Sequence, residues 1–138
     1  MNKLTLLLSI LACAACGSTT QTTTDAPTMI QRGAALYGEE CAHCHGDGGQ
    51  GTDRGPRVVG EGALPYAPRA DSQRDINFRT ALDVFTWVKR TMPGEDPGSL
   101  TDEEYLAIMA FALDANGVKL SAPLDAATAE AIVLHASP

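Results

Sequence analysis

Apolar residues fall at helical spacing in three stretches of this chain, and nowhere do they alternate with polar ones long enough to build a sheet. The first stretch starts at Thr28, where TMIQ has the form of a capping box, with Gln31 reaching back to the cap. Ile30, Gly33, Ala34 and Tyr37 follow on one face. A glycine inside a helix costs stability relative to alanine, so Gly33 points to a second helix crossing closely there. The second stretch is Phe78 to Thr91, striped by Ala81, Val84, Phe85 and Val88 and stopped at Met92 by Pro93. The third is marked best. Thr101 and Glu104 form a capping box, Leu100 and Tyr105 are placed for a hydrophobic staple, and Asp102, Glu103 and Glu104 suit the positive end of the dipole. Its body, YLAIMAFAL, is apolar nearly all round and predicts burial, with Gly117 as the C-terminal stop. A short helix near 125–134, capped by Asp125, closes an all-α chain.

Between the first two helices, residues 46–77 are rich in Gly, Pro and charge and have no period. A loop of that length in a small domain is expected to be functional or to wrap something. The 138 residues suffice for one small domain, and only 5% are aromatic, so its own core is modest and leaves room for another apolar body.

The N-terminus MNKLTLLLSILACAACGSTT reads as a signal peptide, its apolar run too short to span a bilayer stably. LACAACGS resembles the lipobox of bacterial lipoproteins. That resemblance implies lipidation of a cysteine, with Cys16 favoured over Cys13 because it leaves a signal of more ordinary length; a plain cleaved signal is the alternative. The expected organisation is a signal peptide over 1–15, a Thr-rich flexible tether over 16–27, the folded domain over 28–117 and an extension over 118–138.

The formal net charge of −7 argues against nucleic acid as a partner. The charge is uneven: residues 54–90 carry seven Arg or Lys against four acids, and residues 91–138 carry eight acids and one lysine. Such a distribution fits either solvated faces or a charge dipole that orients the protein on a partner.

The chemistry gathers in EECAHCHGDGGQG, residues 39–51. A thioredoxin-like disulfide would need strands that the chain lacks. A structural zinc site would need four ligands, and Cys41, Cys44 and one neighbouring histidine supply three. Covalent c-type haem fits: two sulfurs spaced for two vinyl groups, with His45 carried beneath the iron. The export address and the long wrapping loop agree with it.

With these residues in place, the chain resembles the class I, mitochondrial-type, mono-haem c-type cytochromes from about Thr28 to Gly117. RGAALYGEECAHCHGDGGQG is similar to the family's first helix and haem motif; RGPRVVG to its Gly-Pro turn, with Val58 in place of leucine; and TMPGEDPGSLTDEEYLAIMAFALDANG to its methionine loop and last helix. The resemblance implies a small cytochrome c fold of three main helices and long loops around one covalent haem c. It implies thioethers at Cys41 and Cys44, His45 as proximal iron ligand, the Pro56 carbonyl on the His45 ring, Met92 as distal ligand, and Gly33 and Tyr37 crossing Ile108 and Phe111. Met109 reads as core, Met29 as surface or staple, His43 as no ligand and His135 as an exposed tail residue. Tyr66 and Trp87 are candidates for the haem edge, although Trp87 fits ordinary core packing too. Arg57, Arg69 and Arg79 are weaker candidates for its propionates.

The implied function is one-electron transfer in the bacterial cell envelope, by a carrier rather than an enzyme. Its partners are redox proteins and, through the lipid, a membrane; no small-molecule substrate is expected. The alternative is a haem c subunit of an exported dehydrogenase or reductase complex. A sensor or peroxidase-like protein is a third class, and it requires Met92 to leave the iron.

Overall fold

The computed structural model describes residues 25–70 and 72–136. Among them are five helices and no strands: α1 Ala26–Glu40, α2 Ala42–His45, α3 Ala81–Thr91, α4 Asp102–Ala115 and α5 Ala126–Ala131. The signal peptide, most of the tether and Cys16 lie outside the described residues.

Helix α1 starts earlier than its expected cap. Asp25 is the N-cap, accepting from the Thr28 N–H at 2.8 Å, and Pro27 occupies the first turn, where its missing N–H costs nothing. Thr28 therefore lies inside the helix. Helix α3 likewise begins at Ala81 rather than Phe78, because Thr80 and Asp83 form a capping box. The α4 box of Thr101 and Glu104 stands where expected. Gly117 closes α4 at a φ of 85°, with the Val118 N–H returning to the Leu113 carbonyl at 2.9 Å.

Helices α1 and α4 form the main crossing. A Cβ on Gly33 would lie 1.8 Å from the Ala107 carbonyl oxygen, so only glycine permits this approach. Beside it the Tyr37 and Phe111 rings meet at 5.1 Å. Tyr105, Leu113 and Val84 are the largest fully buried side chains.

Several positions differ from expectation. Ala34 is exposed, and Met29 takes its place facing inward: Met29 is buried, and its sulfur accepts the Leu124 N–H at 3.1 Å. The extension is part of the core, since Leu124 and Ala129 are buried in the cluster with Ala81 and Leu113. His135 is half-buried, its Nε2 2.8 Å from the Leu64 carbonyl oxygen. A single bridge, Thr80 to Val133, fastens this strap to the start of α3. No helix among the described residues is long and apolar enough to cross a membrane.

Candidate functional site

The region from Cys41 to Met92 encloses a slot. Cys41 ends α1 and opens α2, the four-residue turn that carries Cys44 and His45. The His45 N–H returns to the Cys41 carbonyl at 2.9 Å, so the motif is one helical turn. Tyr37 steadies it from α1 by donating its buried hydroxyl to the Gly46 carbonyl at 2.8 Å. Burial, with Cys41 and Asp47 adding to it, pushes the Tyr37 phenol up to about 12, so it stays a donor. Burial, followed by the charges of Glu40 and Cys44, pushes the Cys41 thiol up to about 11. Among the described residues, Cys41 and Cys44 form no disulfide.

The long loop wraps this turn. The Gly51 N–H donates to the His45 carbonyl at 2.7 Å, and Thr52 donates its hydroxyl to the Cys44 carbonyl. Nδ1 of His45 faces the Pro56 carbonyl oxygen at 2.7 Å. Asn116, just past α4, donates to the Val58 carbonyl at 2.9 Å and accepts the Gly60 N–H at 3.0 Å. It anchors the loop from the opposite helix.

Cys41, Cys44, His45, Pro56 and Met92 line one cavity of about 190 Å³, which is walled by Val58, Val84, Val88 and Ile108. Met109 also faces it, as well as belonging to the core. A second cavity of about 110 Å³ shares His45, Pro56 and Met92 and continues past Arg57, Arg69, Arg74 and Trp87. A third, about 610 Å³, opens between Arg54, Gln73 and Thr91. His43 stands at the rim with its Nε2 4.0 Å from Glu95.

Arg74 is the functional candidate that sequence reasoning missed. It is 7% exposed, stacks its guanidinium 3.7 Å above the Phe78 ring and donates Nη2 to the Pro65 carbonyl at 2.8 Å. Its Nη1 is buried without a hydrogen-bond partner among the described residues. Burial, and then repulsion from Arg69, pull its pKa below the ordinary arginine value. Arg69 is exposed and donates to the Gly62 carbonyl. Arg79 pairs with Asp83 at 3.2 Å and is not brought to these cavities. Tyr66 packs edge-on against His135 and is not brought to them either.

Residues 28–111, more than half of the chain, match the family model described as cytochrome c oxidase, cbb3-type, subunit III. The chain belongs to this cytochrome c family. In fold it is similar to a chain of the sulfane dehydrogenase SoxCD from Paracoccus pantotrophus, with a TM-score of 0.59 and 27% identity over 96% of this chain and 68% of that one. No curated protein matches it significantly. It is a small all-α cytochrome c domain, of a family that binds haem c covalently and transfers electrons.

The residues of this cytochrome fit such a group. Two thiols, an imidazole and a thioether face one apolar slot. A planar macrocycle with carboxylate substituents needs apolar faces and a cationic edge. Val84, Val88 and Ile108 offer the first, and Arg74, which lines the adjoining cavity and has an unpartnered nitrogen, offers the second.

Proposed function

We propose that this cytochrome is a one-electron carrier of the class I type, in which Cys41 and Cys44 would hold a single haem c and His45 and Met92 would be its iron ligands. When bound, the haem supplies a reversible ferrous/ferric couple, whose potential is raised by a methionine ligand. With Nδ1 held at the Pro56 carbonyl, His45 would have Nε2 free to hold the iron. Met92, which lines the same cavity, would supply its sulfur as the second protein ligand to that iron. Val84, Val88 and Ile108 exclude water from the slot, and Arg74, which lines the adjoining cavity with an unpartnered nitrogen, would receive a propionate. The observation that carries this reading is that His45, fixed by the Pro56 carbonyl, and Met92 line the same apolar cavity as both cysteines.

The export segment and Cys16 would place the carrier in the cell envelope, tethered to a membrane by a lipid. Contact with redox partners would be weak and transient, helped by the charge asymmetry. Tethering raises the effective concentration near those partners.

A second reading is favoured by the comparisons: the domain serves as the haem c subunit of an oxidoreductase complex. The family description names a subunit of an oxidase, and the solved relative is named as a dehydrogenase. Expression with haem maturation, followed by mass measurement, tests the core of both. One haem added to the polypeptide, and none on a variant with Cys41→Ala and Cys44→Ala, supports the proposal. A mass without haem refutes it. Affinity purification from native membranes then separates carrier from subunit: a chain recovered alone supports the first, and stoichiometric recovery with a catalytic polypeptide supports the second.

A further inference from the structure

We infer that Tyr105 is a positioning residue for Met92, closing the loop that presents the thioether to the iron. The inference rests on Met92 being an iron ligand.

The hydrophobic-staple arrangement of Leu100 and Tyr105 accounts for the ring but not the hydroxyl. That hydroxyl is bonded at both ends of the Met92 loop. It donates to the Met92 carbonyl at 2.6 Å and accepts the Gly98 N–H at 3.1 Å. The Gly98 N–H also reaches the Met92 carbonyl at 3.2 Å, so one phenol cinches the neck of a loop seven residues long (92–98). Tyr105 itself is 1% exposed and sits in the first turns of α4, the helix that carries Ile108 and Met109 into the same cavity.

The rest of the loop offers little competing restraint. Gly94, Glu95, Asp96, Pro97 and Gly98 are exposed, and a Cβ on Gly94 would meet nothing within 4 Å. The internal turns, Asp96 N–H to the Pro93 carbonyl and Ser99 N–H to the Asp96 carbonyl, shape the loop without tying it to α4. Met92 is also bonded back to α3 through its N–H on the Val88 carbonyl at 2.8 Å. Tyr105 supplies the complementary hold from α4, so the backbone of Met92 is fixed from both helices that wall the slot. Losing the hydroxyl takes the shorter of two donors from the Met92 carbonyl, leaving only the 3.2 Å bond from Gly98, and takes an acceptor from the Gly98 N–H. That cost is sufficient to favour the open loop by about tenfold.

Imidazole competing with Met92 for the ferric iron reads loop opening directly. In Tyr105→Phe, which keeps the ring, the apparent Kd for imidazole should fall by about tenfold. In Met29→Leu, which perturbs the core away from the cavity, it should stay at the unmutated value even where the fold is weakened. Equal Kd values for Tyr105→Phe and the unmutated protein overturn the inference, as does an equal fall in Met29→Leu. If the unmutated ferric protein lacks the far-red sulfur-to-iron band, the ligand assignment fails and this inference fails with it. A band that is present with an unmoved Kd defeats the role of Tyr105 alone.

Discussion

Nδ1 of His45 lies 2.7 Å from the carbonyl oxygen of Pro56, eleven residues further along the chain. A carbonyl in that position makes the ring N–H a donor, fixes the tautomer and raises the basicity of the other nitrogen. Gly55 is what allows the approach, since a Cβ there would stand 3.0 Å from the Cys44 carbonyl oxygen and 3.1 Å from His45 Nδ1. Gly55→Ala should lengthen the bond and lower the basicity of His45, leaving ferric iron less stabilised. A redox titration of the variant should give a higher midpoint potential than the unmutated protein.

The contact of Gly33 with Ala107 sets the distance between α1 and α4. A methyl group 1.8 Å from a backbone oxygen has no rotamer to escape into. Gly33→Ala should destabilise the holoprotein by about 3 kcal/mol or more, read from urea unfolding followed by far-ultraviolet dichroism. Gly38→Ala, where a Cβ would meet nothing within 4 Å, is the matched control and should be neutral or stabilising.

Arg74 should tune the potential through a haem carboxylate. Arg74→Leu removes a buried cation, so the carboxylate charge is less compensated and the ferric state gains. The midpoint should fall, and its dependence on pH should move towards neutrality, because a carboxylate without its cationic partner titrates higher. Potentiometry across pH checks both effects. Arg69→Leu, at an exposed residue bonded to the Gly62 carbonyl, should give the smaller shift.

Local signals were legible in the sequence and distant ones were not. The α4 capping box and the Asp125 cap depend on residues within a few positions of one another, and each stands where its spacing placed it. The close crossing at Gly33 was readable because a glycine inside a helix weakens it unless a neighbouring backbone needs the space. Met29 bonding an amide 95 residues away, Asn116 clamping a carbonyl 58 residues away and His135 reaching one 71 residues away have no local signature. Arg74 was hidden among several arginines of one loop. It is distinguished by burial against Phe78, which composition cannot show. Asp25 displaced Thr28 as the cap because Pro27 extends the helix backwards, and the two capping signals lie too close together to separate by pattern.

The Glu104 side of the α4 capping box should make stability depend on pH. Hydrogen bonds from the Thr101 backbone and then its hydroxyl hold the Glu104 carboxyl below its ordinary 4.5, with Arg32 adding a little. A carboxyl depressed in the folded state stabilises the fold above its unfolded value, and that contribution is lost as pH falls through the folded value. Glu104→Gln should therefore be less stable than the unmutated protein at pH 7. The gap should close progressively as pH falls below 4.5. Thermal melts of both proteins at a series of pH values check the trend.

Whether one iron is held between His45 and Met92 can be read from optical spectra of the oxidised and reduced holoprotein beside Met92→Ala. Ligation by both residues gives a sharp α-band on reduction and a weak far-red charge-transfer band on oxidation, with the far-red band lost in the variant. A high-spin ferric spectrum in the unmutated protein, or a far-red band that survives Met92→Ala, would contradict it.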